Sequence, residues 1–164
     1  MEWLDVDLTN CPIARSLELV GQPWTLLVLR ESYNGVRRFD DLQTHLGVSR
    51  PVLSRRLKEL VAAGLLERRP YRNPGDRERH EYAPTPAAWD LYPVLVGLLQ
   101  WSTRYLPDPD GAPLELRDRR TGEPVVAAVV PASAAQLQPW DVEVVPGPGL
   151  RLLAGQAKGS PTSR

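Results

Sequence analysis

Apolar positions recur every three or four residues along four successive stretches of the chain, and each stretch is bounded by residues that start or stop helices. In the first, Asn10 caps a segment with Pro12 in its opening turn, Ile13, Leu17 and Val20 share a face, and Gly21 ends it. The second opens at Pro23, runs through Trp24-Thr25-Leu26-Leu27-Val28-Leu29 and closes at Asn34-Gly35. Being apolar nearly all round, it is expected at the centre of a domain. The third is short, with Phe39, Leu42 and Leu46 inward and Gly47 as its stop. The fourth is capped by Ser49, carries Pro51 in its first turn, turns Leu53, Leu57, Leu60 and Val61 inward and ends at Gly64.

The period then changes. Residues 65–72 and 77–85, joined by Asn73-Pro74-Gly75-Asp76, predict a β-hairpin with an arginine-rich tip. A long helix is expected from Pro86 to Leu106, kinked at Pro93. Its apolar positions, from Trp89 through Val96 and Leu99 to Trp101 and Tyr105, form a surface too wide for one small module to cover. Residues 107–164 hold nine prolines and six glycines, against eight and six in residues 1–106, so the architecture changes there. A hairpin about Thr121-Gly122, a strand over Trp140–Val145 and a disordered end are expected. The reading is an α+β chain, mostly α. It has a helical and hairpin domain over 1–106, a small β-rich extension over 107–154 and a disordered tail over 155–164.

Formal net charge is zero over 164 residues, yet the charge is unevenly placed. Residues 49–80 hold nine basic side chains (Arg50, Arg55, Arg56, Lys58, Arg68, Arg69, Arg72, Arg77, Arg79) and four acidic ones (Glu59, Glu67, Asp76, Glu78). A local excess of five positive charges inside a neutral protein is what a polyanion-binding surface requires. Cys11 is the lone cysteine, which excludes an intrachain disulfide and a cysteine-based zinc site. His45 and His80 offer no metal spacing with it, and neither metal nor cofactor is expected. The acidic start lacks a signal-peptide pattern, and no apolar run suffices to span a bilayer. A soluble, cytoplasmic protein with no membrane partner is expected. No phosphate-binding loop, nucleophile elbow or zinc-protease motif is present, so an enzyme is not expected.

The short third helix, a three-residue turn (Gly47, Val48, Ser49) and the fourth helix make a helix-turn-helix. Arg50, Ser54 and Lys58 follow at i, i+4 and i+8, opposite the leucine stripe, with Arg55 beside them. Such a helix can pack its leucines on the domain and present donors to the major groove of double-stranded DNA. The hairpin tip carries Arg72, Arg77 and Arg79, placed to meet phosphates or the minor groove. A basic helix face on its own is usually only solvated; here two consecutive elements share the bias.

Residues 11–46 (CPIARSLELVGQPWTLLVLRESYNGVRRFDDLQTHL), then GVSRPVLSRRLKELVAAGLLERRPY and the EYAPT strand end, resemble the HxlR-type transcriptional regulators, winged helix-turn-helix proteins related to the MarR group. The likeness covers about Cys11 to Tyr105. Its motifs are Cys-Pro before the first helix, Trp-Thr-Leu-Leu-Val-Leu-Arg in the second and Arg-Arg-Phe before the third. It implies a homodimer, joined through the N-terminal and long C-terminal helices, that binds a roughly palindromic operator, most often as a repressor. It places Ser49, Arg50, Ser54, Arg55 and Lys58 on the recognition helix and Arg72, Arg77 and Arg79 on the wing, with Arg37 and Arg38 where the family can contact backbone phosphate. One departure is that Thr85 is followed by Pro-Ala-Ala, where family members commonly read Glu-Lys-Gly.

Two further features bear on regulation. Cys11 stands beside a helix N-terminus, where N–H groups stabilise a thiolate; several HxlR-type proteins sense oxidants through a cysteine in this region. The plainer role is a small apolar residue near the dimer seam. Trp3, Trp24, Trp89 and Trp101 are core or interface aromatics, or else line a pocket for a small-molecule effector. Behind a DNA-binding regulator stand an effector- or redox-responsive switch and a winged helix used for protein docking.

Overall fold

A computed structural model describes Thr9 and residues 11–72, 75, 77–131 and 133–150. Asn10, Trp3, most of the hairpin tip and the tail over 155–164 lie outside the described residues. The chain divides into two compact units, Met1–Tyr92 and Pro93–Arg164.

In the first unit the element order is α1 (Pro12–Val20), α2 (Pro23–Tyr33), α3 (Phe39–Leu46), α4 (Arg50–Ala62), β1 (Leu66–Tyr71), β2 (Arg79–Pro84) and α5 (Pro86–Trp89). Cys11 takes the N-cap position of α1 through an extended backbone, and its carbonyl accepts the Arg15 N–H at 3.1 Å. No residue of α1 is buried: Ile13 is 69% and Leu17 56% exposed. Ile13 and Leu17 of the amphipathic stripe therefore face outward, while Val20 at its end packs half-buried on the core. Pro23 starts α2, whose Val28 and Leu29 are fully enclosed.

Gly47, in the left-handed region at φ 62°, turns the chain from α3 into α4 at little steric cost, and Val48 beside it is buried. Ser49 holds the N-cap position of α4 by its backbone alone; its hydroxyl makes no cap hydrogen bond. Leu42, Leu53, Leu57 and Leu60 are fully buried among Val28, Leu29, Leu65 and Leu66, while Phe39, Leu46 and Val61 pack at the edge. Burial of each leucine is worth about 1.5–3 kcal/mol. That cluster holds the helix-turn-helix together.

β1 and β2 pair antiparallel from Leu66↔Pro84 to Tyr71↔Arg79. A short third segment joins them: Arg38 bridges to Glu81, and the Tyr82 N–H bonds the Arg37 carbonyl at 2.9 Å. The residues leading into α3 are thus tied to the wing.

The helix expected over 86–106 is two helices. α5 ends at Trp89, and α6 (Tyr92–Tyr105) starts just before Pro93. Pro93 lies in the first turn of α6, where its missing N–H costs nothing, so the chain breaks upstream of the proline instead of kinking at it. The Thr85-Pro86 departure suits this arrangement. Thr85 caps α5 by accepting the Ala88 N–H at 3.3 Å, and its hydroxyl lies 2.6 Å from the Gly64 carbonyl. Tyr33 donates its hydroxyl to the Ala88 carbonyl, and its ring lies against Trp89 (4.7 Å between centroids) and edge-on to Tyr92 (5.5 Å). Burial, with Tyr92 beside it, pushes the Tyr33 phenol well above its ordinary pKa and keeps it a donor.

In the second unit, β3 (Leu114–Asp118) pairs antiparallel with β4 (Val142–Pro146) in the register Leu114↔Pro146 to Asp118↔Val142. This corrects the expected hairpin. The tight turn at Thr121-Gly122 exists, with the Gly122 N–H on the Asp118 carbonyl at 2.8 Å, but its second arm forms no strand. The pairing continues for three residues, through the Asp118 N–H on Glu123 O, the Arg117↔Pro124 bridge and the Val125 N–H on Leu116 O. Val126, Val129 and Val130 stay exposed, without the covered face that would reward a strand. The Gln100 amide fastens this stretch to α6, donating to Val125 O (2.6 Å) and accepting from the Ala127 N–H (2.9 Å). In the turn, the Arg120 N–H holds the Asp118 carboxyl below the usual carboxylate range. No helix among the described residues is long and apolar enough to cross a membrane.

Removing side chain from the leucine cluster should unfold the helix-turn-helix. Leu57→Ala is expected to cost about 2–4 kcal/mol, read as a lower urea midpoint with an unchanged slope. A loss below about 1 kcal/mol would show that Leu57 does not lock α4 to the domain.

Candidate nucleic-acid interface

The leucine stripe sets the rotation of α4, and the rest follows from geometry. With Leu53, Leu57 and Leu60 enclosed, Arg50, Arg55 and Lys58 are exposed and Ser54 is half-buried between them. Ser49, at the start of the helix, is also exposed. Arg56 differs from its neighbour Arg55. It lies three residues after Leu53 and four before Leu60, so it shares the inner stripe, and it is only 7% exposed. It pairs with Glu59, one turn on, and its Nε has no hydrogen-bond partner. Spacing from the leucines could have separated the two arginines in advance.

On the wing, Arg68, Arg69, Arg72, Arg77 and Arg79 are exposed. Arg69 is held by Glu67, its Nε 2.9 Å from a carboxylate oxygen, and so is partly neutralised. Arg38 lies over the Tyr71 ring at 4.4 Å, which aligns its guanidinium along β1. Arg37 is half-buried and donates through Nε to the Ser32 carbonyl at 3.4 Å. Of the two arginines before α3, Arg38 is the freer to reach outward.

Between the start of α3, the start of α4 and the wing lies an open cleft lined by Asp40, Arg50, Arg68, Arg79 and His80. Arg50 lies over the Phe39 ring at 4.7 Å. Asp40 Oδ1 is 3.7 Å from Arg50, and Asp40 Oδ2 is 3.4 Å from Arg79. The charge count over residues 49–80 missed this acid because it lies outside that window. Phe39-Asp40-Asp41 reads simply as acid favouring a helix N-terminus. A second missed acid is Glu31, buried in α2, which pairs with Arg30 and accepts from His45 Nδ1 at 2.6 Å. It pins the end of α3 to α2. An acid inside an apolar helix was the available signal.

The aromatic residues are dispersed. Trp24 packs half-buried on the leucine core, Trp89 lies against Tyr33 and Tyr92, and Trp101 is exposed on α6 beside Tyr105. Trp3 lies outside the described residues. Cys11 is half-buried at the start of α1.

Residues 19–110 match the sequence profile of the HxlR-like helix-turn-helix family. An uncharacterized helix-turn-helix-type transcriptional regulator of Mycobacterium tuberculosis is 45% identical over 140 residues, 85% of this chain and 87% of the relative. A match of that length takes in more than half of the residues after 106. The chain is also similar to the crystal structure of a candidate transcription factor, with a TM-score of 0.66, 33% identity and coverage of 77% of this chain and 87% of that one. A candidate MarR-family transcriptional regulator from Enterococcus faecalis gives a TM-score of 0.51 at 27% identity, covering 65% of this chain and 94% of that one.

The contrast between adjacent arginines is testable. Arg56→Met fills the same space without an unpartnered N–H, so it should change stability by less than about 1 kcal/mol in urea unfolding. A loss above about 2 kcal/mol would show that the buried guanidinium is fully satisfied.

Proposed function

The chain belongs to the HxlR-like helix-turn-helix family of DNA-binding transcriptional regulators, and from that premise we propose that it acts as a homodimeric repressor on a palindromic operator. The observation that carries this reading is the division of α4 into a buried leucine stripe and an exposed row of Arg50, Arg55 and Lys58. That row enters the major groove. Arg50 and Arg55 meet guanine edges or phosphates, Lys58 meets phosphate, and Ser49 and Ser54 supply hydroxyl donors. The wing brings Arg72, Arg77 and Arg79 to the adjacent backbone or minor groove, and Arg38 and Arg37 meet phosphate at its edge. A protein that acts on an operator in this way works in the cytoplasm, with the DNA.

Support for the dimer comes from uncovered apolar surface. α1 exposes Ile13 and Leu17, and α6 exposes Val94, Leu98, Trp101 and Tyr105. Each belongs to an amphipathic helix whose apolar positions a monomer leaves in water, and a two-fold partner would bury them. Residues 107–154 serve as an accessory to this core of 1–106, and neither DNA contact nor dimerisation is assigned to them.

Two measurements test the reading. With an operator selected from genomic fragments, Arg55→Ala should lose about 1–3 kcal/mol and relax preference at one base position. Arg77→Ala should weaken all sequences alike and flatten the salt slope by about one unit. If neither changes affinity, the docking surface is elsewhere. Light scattering at micromolar concentration should give twice the chain mass, and Leu17→Glu should reduce it towards one. A wild-type monomer would overturn the dimer.

A further inference from the structure

We propose that Asp40 is a built-in counter-charge on the DNA-binding surface, an acid that holds Arg50 of the recognition helix and Arg79 of the wing until phosphate replaces it. The proposal rests on the reading that α4 and the wing contact DNA.

Among the described residues, Asp40 is the one carboxylate lining a cleft whose other charged walls are Arg50, Arg68 and Arg79. Its two oxygens are divided between two elements, Oδ1 towards Arg50 at 3.7 Å and Oδ2 towards Arg79 at 3.4 Å. Arg50 opens α4 and Arg79 opens β2, so one side chain spans the junction between helix and wing. The position of Asp40 is itself fixed. It follows Phe39, whose ring lies under Arg50, and α3 is entered from the Arg37–Arg38 segment that pairs with β2.

Both contacts are long and exposed, and such pairs are weak and exchangeable. A phosphate oxygen at the same place would offer both guanidiniums shorter, charge-assisted bonds. The carboxylate therefore does two things. In free protein it draws Arg50 and Arg79 towards one point. Against DNA it must be displaced or stay beside a phosphate, and either lowers affinity for every sequence alike. The penalty is the same for every duplex, so it leaves the ratio between sequences unchanged and lowers the strength of all binding. Only a duplex offering further base contacts to α4 stays bound where unselected DNA is released.

Asp41 is the internal control. It is the adjacent acid in the same first turn, also exposed, and forms no ion pair among the described residues.

The test is a salt titration of binding to a short duplex of unselected sequence, using the full chain. Asp40→Asn should bind on the order of three- to tenfold more tightly than wild type and steepen the salt slope by about one unit. Asp41→Asn should change affinity less than about twofold, because its charge is carried in solvent. Arg50→Ala, run in parallel, should weaken binding. If Arg50→Ala weakens binding while Asp40→Asn does not strengthen it, or if Asp40→Asn and Asp41→Asn strengthen it equally, the counter-charge is refuted and the DNA surface stands. If Arg50→Ala has no effect, the surface itself is misassigned and the proposal falls with it. Matching thermal unfolding of the variants confirms that each is folded.

Discussion

The rotation of α4 about its own axis is the constraint on which the functional surface depends. Three leucines at helical spacing must be dry, and a thirteen-residue helix can satisfy them in only one orientation. Once Leu53, Leu57 and Leu60 face Val28, Leu29 and Leu42, Arg50, Arg55 and Lys58 can only face outward. The basic row is thus a by-product of hydrophobic burial, and nothing electrostatic is needed to create it. Electrostatics acts afterwards, on what the row does. This order also explains Arg56: a charge on the wrong side of the same helix is drawn into the core by its neighbours, at the cost of an unpartnered Nε.

Periodicity made this part of the fold legible, because each helix carries a strong apolar stripe and its own stop signal. Gly47 and Gly64 end α3 and α4 with positive φ, as their places in the sequence imply. Less legible was what depends on partners distant in sequence. The break between α5 and α6 is set by Thr85 bonding back to Gly64 and by Tyr33 bonding Ala88 across 55 positions. A proline-centred reading had no access to either contact. The strand partner of Leu114–Asp118 was misplaced for the same reason. A Thr-Gly turn signal specifies a reversal of the chain, yet the stable ladder goes to the strand whose Val142, paired with Asp118, is buried on the same face as Leu116.

At the candidate interface the split was similar. The arginines of α4 and the wing were visible because they are numerous and close in sequence. Asp40 was not, since its significance lies in being brought to residues 10 and 39 positions away, and a charge count over a window cannot register that. Glu31 was hidden in another way. An acid within Trp24–Tyr33 breaks the apolar pattern by a single residue, and only the His45 and Arg30 contacts show why the break is tolerated. Counting residues finds a surface; single opposing charges have to be located in space.

A division of labour by strength follows. The leucine cluster is a large, non-directional contribution that fixes where the helix lies. The ion pairs on its outer side are exposed, and each contributes little to stability. For a protein that must take up and release a polyanion, this is the useful arrangement. The groups that exchange partners with DNA are those whose loss from the folded state costs least, and the groups that aim them are those whose loss would unfold it. Strong ion pairs on the outer face would resist exchange, and a weak core beneath would let the row of donors wander. Asp40 illustrates the limit on the first side: it is close enough to gather two arginines and distant enough to let them go.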